Sequence, residues 1–249
     1  LQKQIHFGKK LLKILKHQVN IICVKYGTKY TSDRVNRLLK MVKRNCSLPF
    51  SFYCMTENSI GLDSREKVID LDISLDLESY WWKMCLFNLD FKEPTLFFDL
   101  DIVIQNNFDF LFEQIDDKLL VLFSDDAGLD NRNTIILPVD NKINTSVIGF
   151  IPILFKDLYN NFIRDTDYNI VKYFGIDRFI TAMYLDRCKP LSYDYYYYRW
   201  KKDLTESKYC TSVKIDGKGY SLAHVPNKHF CIFCQEHPDM YKEMENYFI

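Results

Sequence analysis

The chain has 249 residues, 47% of them apolar, which is enough for a sizeable core and sets the expectation of a single domain. Lys plus Arg and Asp plus Glu number 33 each, so there is no global basic footprint for nucleic acid, and any phosphate recognition must come from local charge. No apolar run approaches the roughly 20 residues of a membrane span, and no signal-peptide pattern opens the chain.

Residues 1–18 read as an N-terminal extension. Within them, residues 5–16 mix lysines and apolar residues at helical spacing, which suits peripheral contact with an anionic membrane surface or, alternatively, an extra helix packed outside a sheet. The chain opens on Leu1 rather than Met, as a domain cut from a longer protein would. Residues 19–249 form the domain proper. Residues 20–26 are a short β-rich run followed by Gly27, and Ser32 or Asp33 is placed to cap a helix running to about Arg44. Residues 50–55 and 67–71 read as further strands, 80–89 as a helix, 95–100 as a strand and 119–123 as another. Beyond these, residues 143–150 suggest a strand, 156–164 and 176–187 helices, and 212–215 and 229–233 short strands. Such alternation predicts an α/β fold with a mainly parallel central sheet flanked by helices, binding its ligands beyond the carboxyl ends of the strands. The eight cysteines are scattered through apolar stretches of a chain too long to need disulfide staples, which points to free thiols and a cytoplasmic setting.

One of these strands carries the most informative feature. Asp99-Leu100-Asp101 ends an apolar run, and two carboxylates two residues apart on a strand share one face, so both can converge on one cation. A hard divalent metal takes such oxygens and usually holds substrate phosphates as well. A pair of solvated acids at a strand end is the plainer alternative.

Around that pair, Val24 to Gly27, Thr56-Glu57, Trp81-Trp82-Lys83, Phe98 to Asp101, Asn144-Thr145-Ser146 and Gly175-Ile176-Asp177 resemble, in order, the motif series of small metal-dependent nucleotide-sugar glycosyltransferases of the GT-A fold. The resemblance runs from about residue 20 to 240. It implies transfer of a sugar from a nucleoside diphosphate sugar to a glycan, glycoconjugate or other hydroxyl acceptor, with Mn2+ or Mg2+ held by Asp99 and Asp101. In that family the first acid also touches the donor ribose or sugar, leaving Asp101 as the firmer ligand. Val24, Tyr26 and Gly27 would hold the nucleoside, Thr56 and Glu57 would contact base or ribose, and Asn144 and Ser146, on one strand face, would line the donor-sugar side. UDP is favoured over GDP, although Tyr26 and Glu57 do not fix the nucleobase. Lys83 would reach the donor phosphates as a point charge, or be an ordinary surface lysine. Asp177 would face sugar hydroxyls or acceptor, or merely cap the helix it starts. Asp125, Asp126 and Asp177 are candidate bases for deprotonating an acceptor. The family's closing His-Gly and Lys-Pro elements are replaced here by residues 233–238, leaving His237 or His229 as third metal ligand.

Other chemistries share some of these residues. Asp99 to Val103 also resembles the nucleophile motif of haloacid dehalogenase-type phosphatases, with Asp99 attacking phosphorus and Asp101 acting as acid/base, but that nucleophile belongs on the first strand of its core. Cys231, Cys234 and the flanking histidines suggest zinc, yet on a continued strand the two thiols would face opposite sides. The aromatic run 193–200 suits sugar stacking or an irregular packed segment. A non-enzymatic sugar- or membrane-binding module is the remaining alternative.

Overall fold

The structure, a computed structural model, describes residues 18–63, 65–104, 106–123, 142–191, 196–197 and 231–233. It opens on β1 (Val19–Lys25), in which Val19, Ile21, Ile22 and Cys23 are all fully buried. A strand apolar on both faces belongs inside a sheet covered on both sides. The following helix α1 (Ser32–Asn45) buries Val35, Leu38, Leu39, Met41 and Val42, a spacing that returns apolar residues to one stripe and lays it on Val19, Ile21 and Cys23. Its N-cap is Thr31, which makes no side-chain cap, and the Ser32 hydroxyl donates to the Ile60 carbonyl across the adjacent loop. The predicted capping by Ser32 or Asp33 is therefore not how this helix starts.

β2 (Phe50–Thr56) and β3 (Lys67–Asp70) follow. Next comes a 3-10 segment (Ser79–Asn88), then β4 (Thr95–Phe98), β5 (Ile102–Ile104), α2 (Phe110–Gln114), β6 (Leu119–Phe123) and β7 (Ile143–Phe150). Three helices, α3 (Lys156–Ile163), α4 (Thr166–Tyr173) and α5 (Ile176–Tyr184), lead to β8 (Cys188–Leu191). Two short strands, β9 (Tyr196–Tyr197) and β10 (Cys231–Phe233), join β5 in a small second sheet.

The main sheet has the order β3-β2-β1-β4-β7-β6-β8. β1 is parallel to β2 and β4, β2 to β3, and β6 to β8, while β7 is antiparallel to both its neighbours. The expected mainly parallel sheet is thus present, with β7 alone reversed. α1 and α2 cover one face, and the 3-10 segment with α3 and α5 covers the other, through Trp81, Trp82, Phe87, Phe162 and Phe179. From β1 the chain steps outward to β2 and β3 and then returns to β4 on the other side. This reversal opens a crevice between the carboxyl ends of β1 and β4, the usual ligand site of an open α/β sheet.

Two local expectations are corrected. The helix over 80–89 is a 3-10 segment, in which Trp81, Trp82 and Met84 to Phe87 are all buried; a segment enclosed on several sides has no amphipathic periodicity to hold it as an α-helix. The strand expected over 95–100 ends at Phe98, and residues 99–102 form a turn closed by the Ile102 amide donating to the Asp99 carbonyl, 3.3 Å. β5, α2, α4, β8 and β9 were not expected. The strand over 212–215 and the N-terminal residues 5–16 lie outside the described residues.

Candidate active site

The turn at the end of β4 delivers the two acids, so their convergence does not come from a shared strand face. Asp99 extends the β4–β7 ladder by one bond, its amide donating to the Ser146 carbonyl at 2.9 Å. Its carboxylate accepts from the Lys83 ammonium at 2.7 Å, with both side chains mostly buried. Lys83 is therefore not an ordinary surface lysine. Burial works against its charge, but Asp99, Asp177 and Asp101 around it outweigh that and raise its pKa.

Asp101 is 5% exposed. One carboxylate oxygen, Oδ2, accepts from the Tyr30 hydroxyl at 3.2 Å, while Oδ1 is buried with no hydrogen-bond partner. Burial first, and the charge of Asp99 second, push the Asp101 carboxyl up to about 6. A buried anionic oxygen without a donor is costly, and a divalent cation is a ligand that would satisfy it. The donor set fits Mg2+ or Mn2+, both of which accept carboxylate oxygens and complete their shell with water and phosphate. Among the described residues no group of three His, Cys, Asp or Glu side chains has the arrangement of a metal centre. His237 and His229, the candidate third ligands, lie outside the described residues, as do Asp125, Asp126 and Cys234. The side chain of Cys231 does too, so nothing described bears on zinc.

The residues expected on the nucleoside side come from the ends of β1 and β2. Val24 is near the end of β1, and Tyr26 packs on Trp82 with ring centroids 4.7 Å apart and the rings tilted by 32°. Trp81 and Trp82 are core residues, as their size suggests, although the Trp82 indole N–H is buried without a partner. Gly27 takes φ +65°, a left-handed conformation that favours glycine, and its amide donates to Glu57 Oε1 at 2.9 Å. Thr56 is fully buried; its hydroxyl donates to the Asn58 carbonyl at 3.1 Å and lies 3.3 Å from Glu57 Oε2. The structure thus brings Tyr26, Gly27, Thr56 and Glu57 together, with Thr56 serving the loop.

On the other side of the crevice, β7 is a strand as expected but is not regular. Its register with β6 jumps from Ile148 opposite Val121 to Asn144 opposite Leu122, so Thr145, Ser146 and Val147 bulge out of the pairing. Asn144 and Ser146 therefore do not owe their closeness to a flat strand face. They are tied by the Ser146 amide donating to Asn144 Oδ1 at 2.9 Å. Bulges re-aim side chains next to active sites, and this one lies beside the turn carrying the acids. Asp177, in the first turn of α5, does not cap its own helix. Its Oδ1 accepts from both the amide (3.0 Å) and the hydroxyl of Thr145, and burial, only partly offset by Lys83 and these bonds, raises its pKa. Lys83 accordingly lies in the field of Asp99, Asp101 and Asp177.

Sequence reasoning missed Tyr30 and Thr145. Thr145 sits inside a quoted motif but was passed over for its neighbours. Tyr30 had no local signal, since its partner is 71 positions away.

Compared with known proteins, the chain matches no family model and no curated protein sequence. It is similar in structure to the galactosyltransferase LgtC solved in complex with donor and acceptor sugar analogues, at 10% identity and a TM-score of 0.55, covering 72% of this chain and 76% of that one. The glycosyltransferase GlyE of Streptococcus pneumoniae TIGR4 is similar at 12% identity and a TM-score of 0.52, covering 71% of this chain and 46% of that one. At such identities the likeness is one of architecture, and the architecture of this chain is the GT-A fold.

Proposed function

We propose that this chain is a glycosyltransferase that moves a sugar from a nucleoside diphosphate sugar to a hydroxyl of a glycan or glycoconjugate. The observation carrying this reading is the pair Asp99 and Asp101 at the topological switch point of a GT-A sheet, one ion-paired with Lys83 and the other holding an unsatisfied buried oxygen. Asp101 and Asp99 would hold Mn2+ or Mg2+. When bound, such a cation acts as a Lewis acid that neutralises a diphosphate leaving group.

The remaining roles follow from position. Tyr26, supported by Trp82, offers an aromatic face at the end of β1 for the base, and the glycine at 27 lets backbone approach the ligand closely. Lys83 supplies positive charge beside the acids, where a departing diphosphate develops negative charge. Asp177, held by Thr145 and near enough for its charge to act on Lys83, is the carboxylate for sugar or acceptor hydroxyls. Among the described residues no helix is long and apolar enough to cross a membrane. The five described cysteines are free, which suits a cytoplasmic enzyme, and the basic and apolar sequence of residues 5–16 suits membrane contact.

The test is donor turnover over a panel of nucleotide sugars with Mn2+ or Mg2+, alongside calorimetry with UDP and GDP. Asp101→Asn should abolish metal-dependent turnover, at least about 100-fold, because it removes one anionic ligand, while the circular dichroism spectrum stays that of the folded chain. Full turnover in excess chelator, or release of phosphate from phosphate monoesters in place of sugar transfer, would sink the assignment.

A further inference from the structure

Asp101 is held from a direction that the metal role does not explain. Its Oδ2 is engaged by the Tyr30 hydroxyl at 3.2 Å, and only Oδ1 is left unsatisfied. A carboxylate with one oxygen fixed by a phenol cannot rotate freely, so the other oxygen keeps a single direction. Partners of this kind orient a metal ligand without touching the metal, and losing one typically weakens metal binding about 10- to 100-fold.

Tyr30 also belongs to the loop that leaves β1, the loop that carries Tyr26 and Gly27. That loop is fastened at separate points: the Tyr26 ring packs tilted on Trp82, the Gly27 amide donates to Glu57, and the Tyr30 hydroxyl donates to Asp101. The Tyr30 ring is half-buried, with the Lys29 ammonium 5.1 Å and the Arg34 guanidinium 5.9 Å from its centroid. These cations fix the ring independently of its hydroxyl. A loop that meets the nucleoside at one end and the metal ligand at the other is a physical link between two binding events.

We infer that Tyr30 is a positioning residue: its hydroxyl orients Asp101 for the cation and makes cation and nucleoside diphosphate binding mutually reinforcing through the loop after β1. This rests on the proposed function, because it takes Asp101 as a metal ligand. Linkage requires the coupling to be reciprocal, so it can be read from either ligand. Tyr30→Phe removes the hydroxyl and keeps the ring that Lys29 and Arg34 face.

Titration with Mn2+ alone, UDP alone, and each in the presence of the other tests the inference by calorimetry, with no turnover needed. The wild-type chain should bind Mn2+ more tightly when UDP is present. In Tyr30→Phe, affinity for Mn2+ alone should fall about tenfold, and the factor by which UDP tightens Mn2+ should shrink toward one. UDP affinity without metal should change less than twofold, a split that general loosening of the loop would not give. Equal Mn2+ affinity and equal coupling in Tyr30→Phe and wild type would overturn the inference alone. Failure of the wild-type chain to bind Mn2+ at all would overturn the proposed function and this inference with it.

Discussion

At the scale of single residues, three carboxylates, Asp99, Asp101 and Asp177, surround the Lys83 ammonium, and the Lys29 ammonium acts on Asp101 as well. Lys83 pairs directly with Asp99 and acts on Asp177 and Asp101 through space. The carboxylates differ in how they are satisfied: Asp99 by Lys83, Asp177 by Thr145, and Asp101 by one tyrosine hydroxyl on one oxygen only. This division gives each acid a separate consequence on mutation. Asp177 lies away from the orphaned Asp101 oxygen in bonding terms, so its loss should affect sugar or acceptor rather than nucleotide. Truncation to Ala would also strip the Thr145 amide of its acceptor, a structural cost of about 1–3 kcal/mol. Asp177→Asn is the cleaner change, because the amide oxygen still accepts from Thr145. Sugar transfer by Asp177→Asn should fall at least about 100-fold, while UDP affinity in the presence of Mn2+ stays within about threefold of wild type. A parallel loss of UDP binding, measured by calorimetry, would contradict that separation.

At the scale of elements, the legible parts were those whose signal is local. The runs at 20–26, 50–55, 119–123 and 143–150 correspond to β1, β2, β6 and β7, because strands buried on both faces are mostly apolar, β7 departing from this only at the buried Asn144, Thr145 and Ser146. The acids were found for the same reason, as polar residues ending such a run. What the sequence did not show depends on distant partners. The turn that parts β4 from β5 and the bulge in β7 arise where β4, β6 and β7 meet, and no local pattern marks either. Asn45 is another case. It ends α1 with its side-chain amide donating to the Met41 carbonyl at 2.9 Å and the Ile104 carbonyl at 3.2 Å, while its own carbonyl accepts from Phe108. It thereby satisfies an end-of-helix carbonyl and ties α1 to β5, the strand that leaves the acidic turn. Asn45→Ala should lower unfolding free energy by about 1–3 kcal/mol in urea, since buried carbonyls lose their donor. An unchanged urea midpoint would show that α1 and β5 hold together without it.

At the scale of the whole molecule, an acid buried away from any compensating bond ties stability to pH. Glu66, between the adjacent loop and β3, has both carboxylate oxygens buried without a hydrogen-bond partner. Burial, assisted by Asp63 and opposed by Lys43 and Arg65, raises its carboxyl from the ordinary 4.5 to about 7. Below about pH 4.5 the group is protonated in folded and unfolded chains alike, and its favourable contribution is fully present. Between about 4.5 and 7 the unfolded chain releases the proton while the folded chain retains it, so stability falls as pH rises through this window. Above about 7 the folded chain too carries the buried charge, and the loss is complete. Glu66→Gln keeps the shape without the titration. The difference in unfolding free energy between Glu66→Gln and wild type should therefore grow in favour of the variant by on the order of 1–2 kcal/mol from pH 5 to pH 8, read from urea midpoints at each pH. The comparison cancels every other titrating group common to both chains, so a difference that stays constant across that range would mean the Glu66 carboxylate is stabilised as well in the fold as in water.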